Sequence, residues 1–186
     1  MAPGAEGEPA ALFEAERGRL LAVAGPVLDL ACGRGRHALA LGRTGRVAIG
    51  LDRDRARLAE LARAARAGHL PVHPLLADVE ASGAIPLASA SCGAVLVFRY
   101  LHRPLASEIV RVLRPGGLLL YETFTRRHRE IAEQPRNPAF LLEPGELPKL
   151  FAALETLRAE EAVVEAPAPE AVARLVARKA GPGRPD

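Results

Sequence analysis

Short apolar runs alternate with amphipathic stretches along most of the chain. The runs at 27–31, 47–51, 72–77, 94–98 and 118–124 have the length and the valine, isoleucine and leucine content of buried strands. Helical patterns separate them. One covers 37–43, after a pair of glycines. A second follows Asp54, a good N-cap, and carries Leu58, Leu61, Ala62 and Ala65 at i, i+3, i+4, i+7 spacing. A third starts near Pro104 and puts Leu105, Ile109, Val112 and Leu113 on one face. Gly42, Gly45 and Gly68 punctuate these helices, and Arg114-Pro115-Gly116-Gly117 reads as a sharp turn.

Before the first run, 10–24 reads as a helix with Leu12, Phe13, Leu20 and Leu21 as its contact stripe. After the fifth run, 125–142 shows no clean period, and a loop of that length in a compact domain is usually functional or disordered. Residues 143–154 read as a further helix, interrupted near Pro148. Residues 156–165 and 171–179 then read as an antiparallel hairpin around Pro167-Ala168-Pro169. Five strand–helix repeats require a parallel sheet with helices on both faces, an α/β doubly wound fold. A single domain is expected over 10–180, with a flexible N-terminus at 1–9 and a flexible tail at 181–186. In such sheets a ligand sits beyond the carboxyl ends of the strands, where strand order reverses. Asp29, Gly33, Asp52, Asp78 and 98–102 all fall near those ends.

Composition narrows the partners. The chain has 186 residues, and 25 Lys+Arg stand against 22 Asp+Glu, for a net charge of +3. So even a balance lacks the concentrated basic face that nucleic acid needs, and the short run Arg126-Arg127-His128-Arg129 reads as a solvated loop. Cys32 and Cys92 have no metal-ligand spacing and make no disulfide framework, which fits a reducing compartment. No apolar run reaches transmembrane length, and the start of the chain lacks the basic and apolar regions of a signal peptide. A cytoplasmic enzyme with no membrane or nucleic-acid partner is the expectation. Monomer and homodimer both stay open.

The chemistry centres on Val27 to His37. An apolar strand runs there into Gly33-x-Gly35-x-x-Ala38, and a helix follows, so backbone N–H groups face whatever fills the turn. Asp52, 19 positions after Gly33, is placed to accept from ribose hydroxyls. These features alone allow NAD or S-adenosylmethionine. Three others favour the second. Asp29 lies behind the glycines, where a pyrophosphate would be repelled and a methionine ammonium or sulfonium attracted. Asp78 ends the third strand, placed for an adenine amino group. The sheet also closes with an antiparallel hairpin, not with further parallel units.

Val27 to Gly35, Gly50-Leu51-Asp52, Ala77-Asp78 and Leu113 to Leu118 resemble the successive motifs of class I S-adenosylmethionine-dependent methyltransferases. The resemblance implies a mostly parallel seven-stranded sheet of order 3-2-1-4-5-7-6, with strand 7 antiparallel. It also implies that Gly33 and Gly35 contact the methionine part, Asp52 the ribose and Asp78 the adenine. Ala31, His37, Arg53, Val79 and Phe98 complete the expected cofactor contacts. A narrower similarity, carried by Phe98 to Pro104, Tyr121 to Phe124 and Asn137 to Leu142, is to the tellurite-resistance methyltransferases. It implies a soft acceptor such as a thiol, selenium or tellurium species.

Methyl transfer from a sulfonium is an in-line displacement, so the enzyme mainly aligns donor with acceptor and excludes water. A thiolate or soft anion needs no general base, whereas a hydroxyl or amine does. Arg99, Tyr100 and His102 are the candidates near the methyl group, with Arg99 suited to an anionic acceptor. Plainer roles compete. His102 can simply cap the following helix, His37 can be a surface or capping residue, and Glu122 can bind a neighbouring backbone N–H. Cys32 reads as a small buried filler. The arginines of 126–136 read either as a solvated loop or as a lid over the acceptor.

Overall fold

The structure, a computed structural model, describes residues 7–165 and 168–181. The expectations for 1–6, for 182–186 and for Pro167 lie outside the described residues. Seven strands form one sheet of order β3-β2-β1-β4-β5-β7-β6. The strands are β1 (Val27–Leu30), β2 (Ala48–Asp52), β3 (Val72–Leu76), β4 (Cys92–Phe98), β5 (Leu113–Phe124), β6 (Glu155–Val164) and β7 (Glu170–Arg178). The first five are parallel, and β7 runs antiparallel to both β5 and β6. The order and the direction of strand 7 are those that the sequence motifs implied.

The period of two along each strand divides the core. Leu28, Leu30, Val95, Val97, Leu119 and Tyr121 face one way. There they meet Ile109 and Val112 of α5 (Ala106–Val112), Leu147 of α6 (Glu146–Leu150) and Phe151 just beyond it. Val27, Ala94, Leu96, Leu118 and Leu120 face the other way. They meet α1 (Ala11–Ala22), α2 (Arg36–Gly42) and α3 (Arg55–Ala67) through Phe13, Leu20, Leu41, Leu58 and Leu61. The Asp54 carboxylate accepts from the backbone N–H of Ala56 and Arg57 and so starts α3.

Four stretches depart from the sequence expectation. Asp78 caps a short helix, α4 (Val79–Ser82), in what reads as the end of a strand and the start of a loop. The Arg114 to Gly117 turn lies inside β5, where the pairing with β4 shifts between Cys92 and Ala94. The helix expected over 143–154 is only five residues long and starts after Gly145, which sits at φ 66°; Pro148 lies in its first turn, where a missing N–H is tolerated. The 125–142 stretch holds two 3-10 turns, Arg126–Glu130 and Pro138–Phe140. In the first of these His128 is turned inward and buried, which breaks the basic run, and Arg126 pairs with Glu143. No helix among the described residues is long and apolar enough to cross a membrane.

Candidate active site

The turn after β1 is built by its neighbours. The Cys32 N–H donates to the Leu51 carbonyl at 3.0 Å, and the Gly33 N–H donates to Asp52 Oδ2 at 2.7 Å. Gly33 and Gly35 take φ of 58° and 74°, in the left-handed region. A Cβ at Gly35 would lie 2.5 Å from Leu61 Cδ1, so the turn is pressed against α3. A Cβ at Gly33 would meet only Arg57 Nη1, at 3.8 Å, an ordinary contact, so the turn is not crowded on that side. Asp52 therefore has a structural job in this turn. Its Oδ1 also accepts from the Asp54 N–H at 2.9 Å.

A cavity of about 320 Å³ lies at the carboxyl ends of the parallel strands. Ala31, Asp52, Arg53, Arg57, Asp78, Val79 and Glu80 line one end. Arg99, Tyr100, Leu101, Thr123, Phe124, Pro135 and Phe140 line the other. Of the residues picked out from sequence, this brings together Ala31, Asp52, Arg53, Asp78, Val79, Arg99 and Tyr100. The acidic end is not purely acidic. Arg53 lies 3.3 Å from Glu80, and Arg57 pairs with Asp54 at 3.2 Å.

Tyr100 reaches from the end of β4 toward α4. Its hydroxyl is buried without a hydrogen-bond partner, and burial together with the Glu80 carboxylate pushes its pKa up. Arg99 sits at φ 55°, with its guanidinium on the Glu170 carboxylate and its N–H donating to the Glu122 carbonyl. Arg36 lies within reach of that charge, and its own pKa is lowered, first by burial and then by Arg99. The Glu122 carboxylate is buried and accepts from Arg174 Nε at 2.7 Å, an ion pair in place of the backbone contact considered for it.

Asp29, Gly33, Gly35, His37, Phe98 and His102 do not line this cavity. The period of two turns Asp29 toward α2, where its carboxylate is buried and accepts from the Ala38 N–H at 3.1 Å. His37 is a core histidine. Its ring stacks on Phe98 at 4.1 Å, and its Nε2 accepts from the Ala10 N–H, so it fastens the start of α1. Its Nδ1 faces Asp29 Oδ1 at 3.8 Å. The His102 backbone opens the 3-10 turn Arg103–Leu105, and its side chain makes no capping bond. Burial and the Asp29 and Asp52 charges push the Cys32 thiol well above the ordinary thiol range, so it is no nucleophile at neutral pH.

Sequence reasoning passed over Arg57, Thr123, Phe124, Pro135 and Phe140. For Arg57 a signal existed: the Asp54 cap puts it in the first turn of α3, beside the glycines. For Pro135 and Phe140 no periodic pattern ties 125–142 to the sheet.

Residues 27–117 match the family described as "Methyltransferase domain". No curated protein matches the chain. Solved structures do. One is the [4+2]-cyclase SpnF, with a TM-score of 0.75, 19% identity, and coverage of 92% of this chain and 80% of that one. Another was solved for the conversion of a disulfide bond into a thioacetal group during echinomycin biosynthesis, with a TM-score of 0.76, 20% identity, and 98% and 86% coverage. A third is TehB from Haemophilus influenzae, with a TM-score of 0.72, 20% identity, and 90% and 61% coverage. The strand order and the matched segment define a class I methyltransferase domain. A methyltransferase domain over 27–117 implies S-adenosylmethionine as the cofactor.

The residues present fit that cofactor. The Asp52 and Asp78 carboxylates on adjoining strand ends and the Tyr100 hydroxyl border space that a ligand can fill. Each Asp52 oxygen accepts one backbone bond and keeps a second lone pair, while Asp78 Oδ1 accepts from the Glu80 and Ala81 N–H and leaves Oδ2 for a ligand.

Proposed function

We propose that the enzyme transfers the methyl group to a small, soft nucleophile, a thiol, selenium or tellurium species. The observation that carries this is the chemistry of the cavity's second end. No histidine lines it among the described residues, the Tyr100 hydroxyl is held protonated, and the Glu80 carboxylate that acts on it is paired with Arg53. An acceptor that needs no deprotonation by the enzyme suits such a wall. Two likenesses support a soft one. The tellurite-resistance similarity of 98–104, 121–124 and 137–142 is one, and a neighbour solved for disulfide-to-thioacetal chemistry is the other.

The roles divide along the cavity. Asp52 grips the ribose hydroxyls and holds the glycine turn, and Asp78 accepts from the adenine. When bound, the cofactor supplies a methyl already activated on a sulfonium. Arg99, fixed by Glu170, and Tyr100 shape the space beside it and keep water out, which is the larger part of the catalysis required. The test is incubation with methyl-labelled S-adenosylmethionine and a panel of thiols, selenite, tellurite, phenols and amines. Label in the thiols or in selenite and tellurite is expected. Label only in phenols or amines overturns the proposal, as does none at all while the cofactor binds.

A further inference from the structure

We infer, on the basis of the soft-nucleophile function proposed above, that the acceptor is a thiol with an apolar body, aromatic or branched alkyl, and not a free oxyanion. Three aromatic or ring side chains, Phe124, Pro135 and Phe140, wall the second end of the cavity. Phe140 is 46% exposed. Of the large apolar side chains left exposed among the described residues, it alone borders this cavity. An aromatic ring left in water costs free energy that an apolar ligand recovers by covering it.

The wall is built to stay in place. Arg103 donates to the carbonyls on either side of Phe140, to Ala139 at 2.7 Å and to Leu141 at 3.0 Å. The same guanidinium grips both oxygens of Glu146, and Glu146 Oε2 also accepts from the Glu143 N–H. The Asn137 side chain accepts from the Ala139 N–H at 2.9 Å. Phe124 is fixed on the other side by stacking on His128 at 4.3 Å, and His128 Nδ1 accepts from the Ala171 N–H. Two rings are thus held against the cavity before any ligand arrives, which lowers the ordering cost of binding. Arg103 is a positioning residue that acts through Phe140.

A free oxyanion fares badly there. Entering this wall strips its hydration, and the Arg99 guanidinium already pairs with Glu170. A thiol loses its proton to water before transfer. The thiolate lone pair then forms the new bond to the methyl carbon. The bond from that carbon to the cofactor sulfur breaks, and its electron pair leaves the cofactor as a neutral thioether.

The test compares phenylmethanethiol with 2-mercaptoethanol, thiols of similar acidity, and both with tellurite, on the full chain with labelled S-adenosylmethionine. We expect kcat/KM for phenylmethanethiol to exceed that of either other acceptor by about ten-fold or more. Phe140→Ala and Arg103→Gln should each raise KM for phenylmethanethiol several-fold and leave S-adenosylhomocysteine affinity unchanged, while Phe140→Leu restores most of the loss. Equal rates with the two thiols, a preference for tellurite, or an unmoved KM in Phe140→Ala overturns the inference while cofactor binding stands. Label in phenols or amines alone would instead overturn the soft-nucleophile function beneath it.

Discussion

Alanine at Gly35 is the sharpest test of how the glycine turn is made. The backbone there sits at φ 74°, a conformation that costs a residue with a Cβ about 1–2 kcal/mol. The added methyl would also lie 2.5 Å from Leu61 Cδ1 and 2.9 Å from Cδ2. Leu61 is fully buried against the sheet and cannot retreat freely, so overpacking adds about 1–3 kcal/mol. The sum is about 2–5 kcal/mol, a large share of the roughly 5–15 kcal/mol that holds a domain together. Two control glycines separate the contributions. Gly45 has φ 81° with nothing within 4 Å, so Gly45→Ala carries the backbone cost alone. Gly18 lies on the exposed side of α1 with nothing within 4 Å, so Gly18→Ala should stabilise by about 1 kcal/mol. Urea denaturation of the three variants should rank them Gly18→Ala, wild type, Gly45→Ala, Gly35→Ala, from most to least stable. A Gly35→Ala variant no worse than Gly45→Ala would show that Leu61 does not shape the turn.

Asp52→Ala removes the acceptor of the Gly33 N–H and the expected ribose grip, and should weaken S-adenosylhomocysteine binding by roughly 1–3 kcal/mol in calorimetry. An unchanged affinity in a folded variant would move the ribose elsewhere. Arg103 and the Glu143 N–H hold the Glu146 carboxyl below the usual carboxylate range. A lowered folded-state pKa stabilises above the unfolded value and is lost as pH falls through the folded one. The denaturation midpoints of wild type and Arg103→Met should therefore differ more at pH 7 than in acid, where only the bonds of Arg103 to the Ala139 and Leu141 carbonyls remain. A difference constant down to pH 2 contradicts this. Native Cys32, its thiol pushed up by burial, should resist iodoacetamide at pH 8 and react once the chain is unfolded in urea. Rapid native labelling, followed by peptide mapping, would contradict the buried site.

Where local pattern and tertiary packing agree, the sequence was easy to read. The central strand β4 is an unbroken apolar run, whereas the edge strand β3, with His73 and Pro74, is mostly exposed, and α3 has both a cap at Asp54 and a face of Leu58, Leu61 and Ala65. The strand order came from motif resemblance, since periodicity does not say which strands adjoin. The misreadings have local causes. The five-residue α6 starts only after Gly145, at φ 66°. Asp29 was legible as an acid at a strand end, but its face follows from strand phase: Leu28 and Leu30 point to the α5 side, so Asp29 points to α2. His37 looked exposed at a helix start because nothing in the sequence shows that α1 folds back onto it. The 125–142 wall was the least legible. It is fixed by Arg103 and Glu146, which are 43 residues apart, and no local pattern encodes that pair.

The central claim is that Asp52, Asp78 and the glycine turn form a seat for S-adenosylmethionine. Calorimetric titration of the full chain tests it most directly. S-adenosylhomocysteine should bind in the micromolar range and NAD should give no heat. NAD binding with no response to S-adenosylmethionine or S-adenosylhomocysteine would contradict the account.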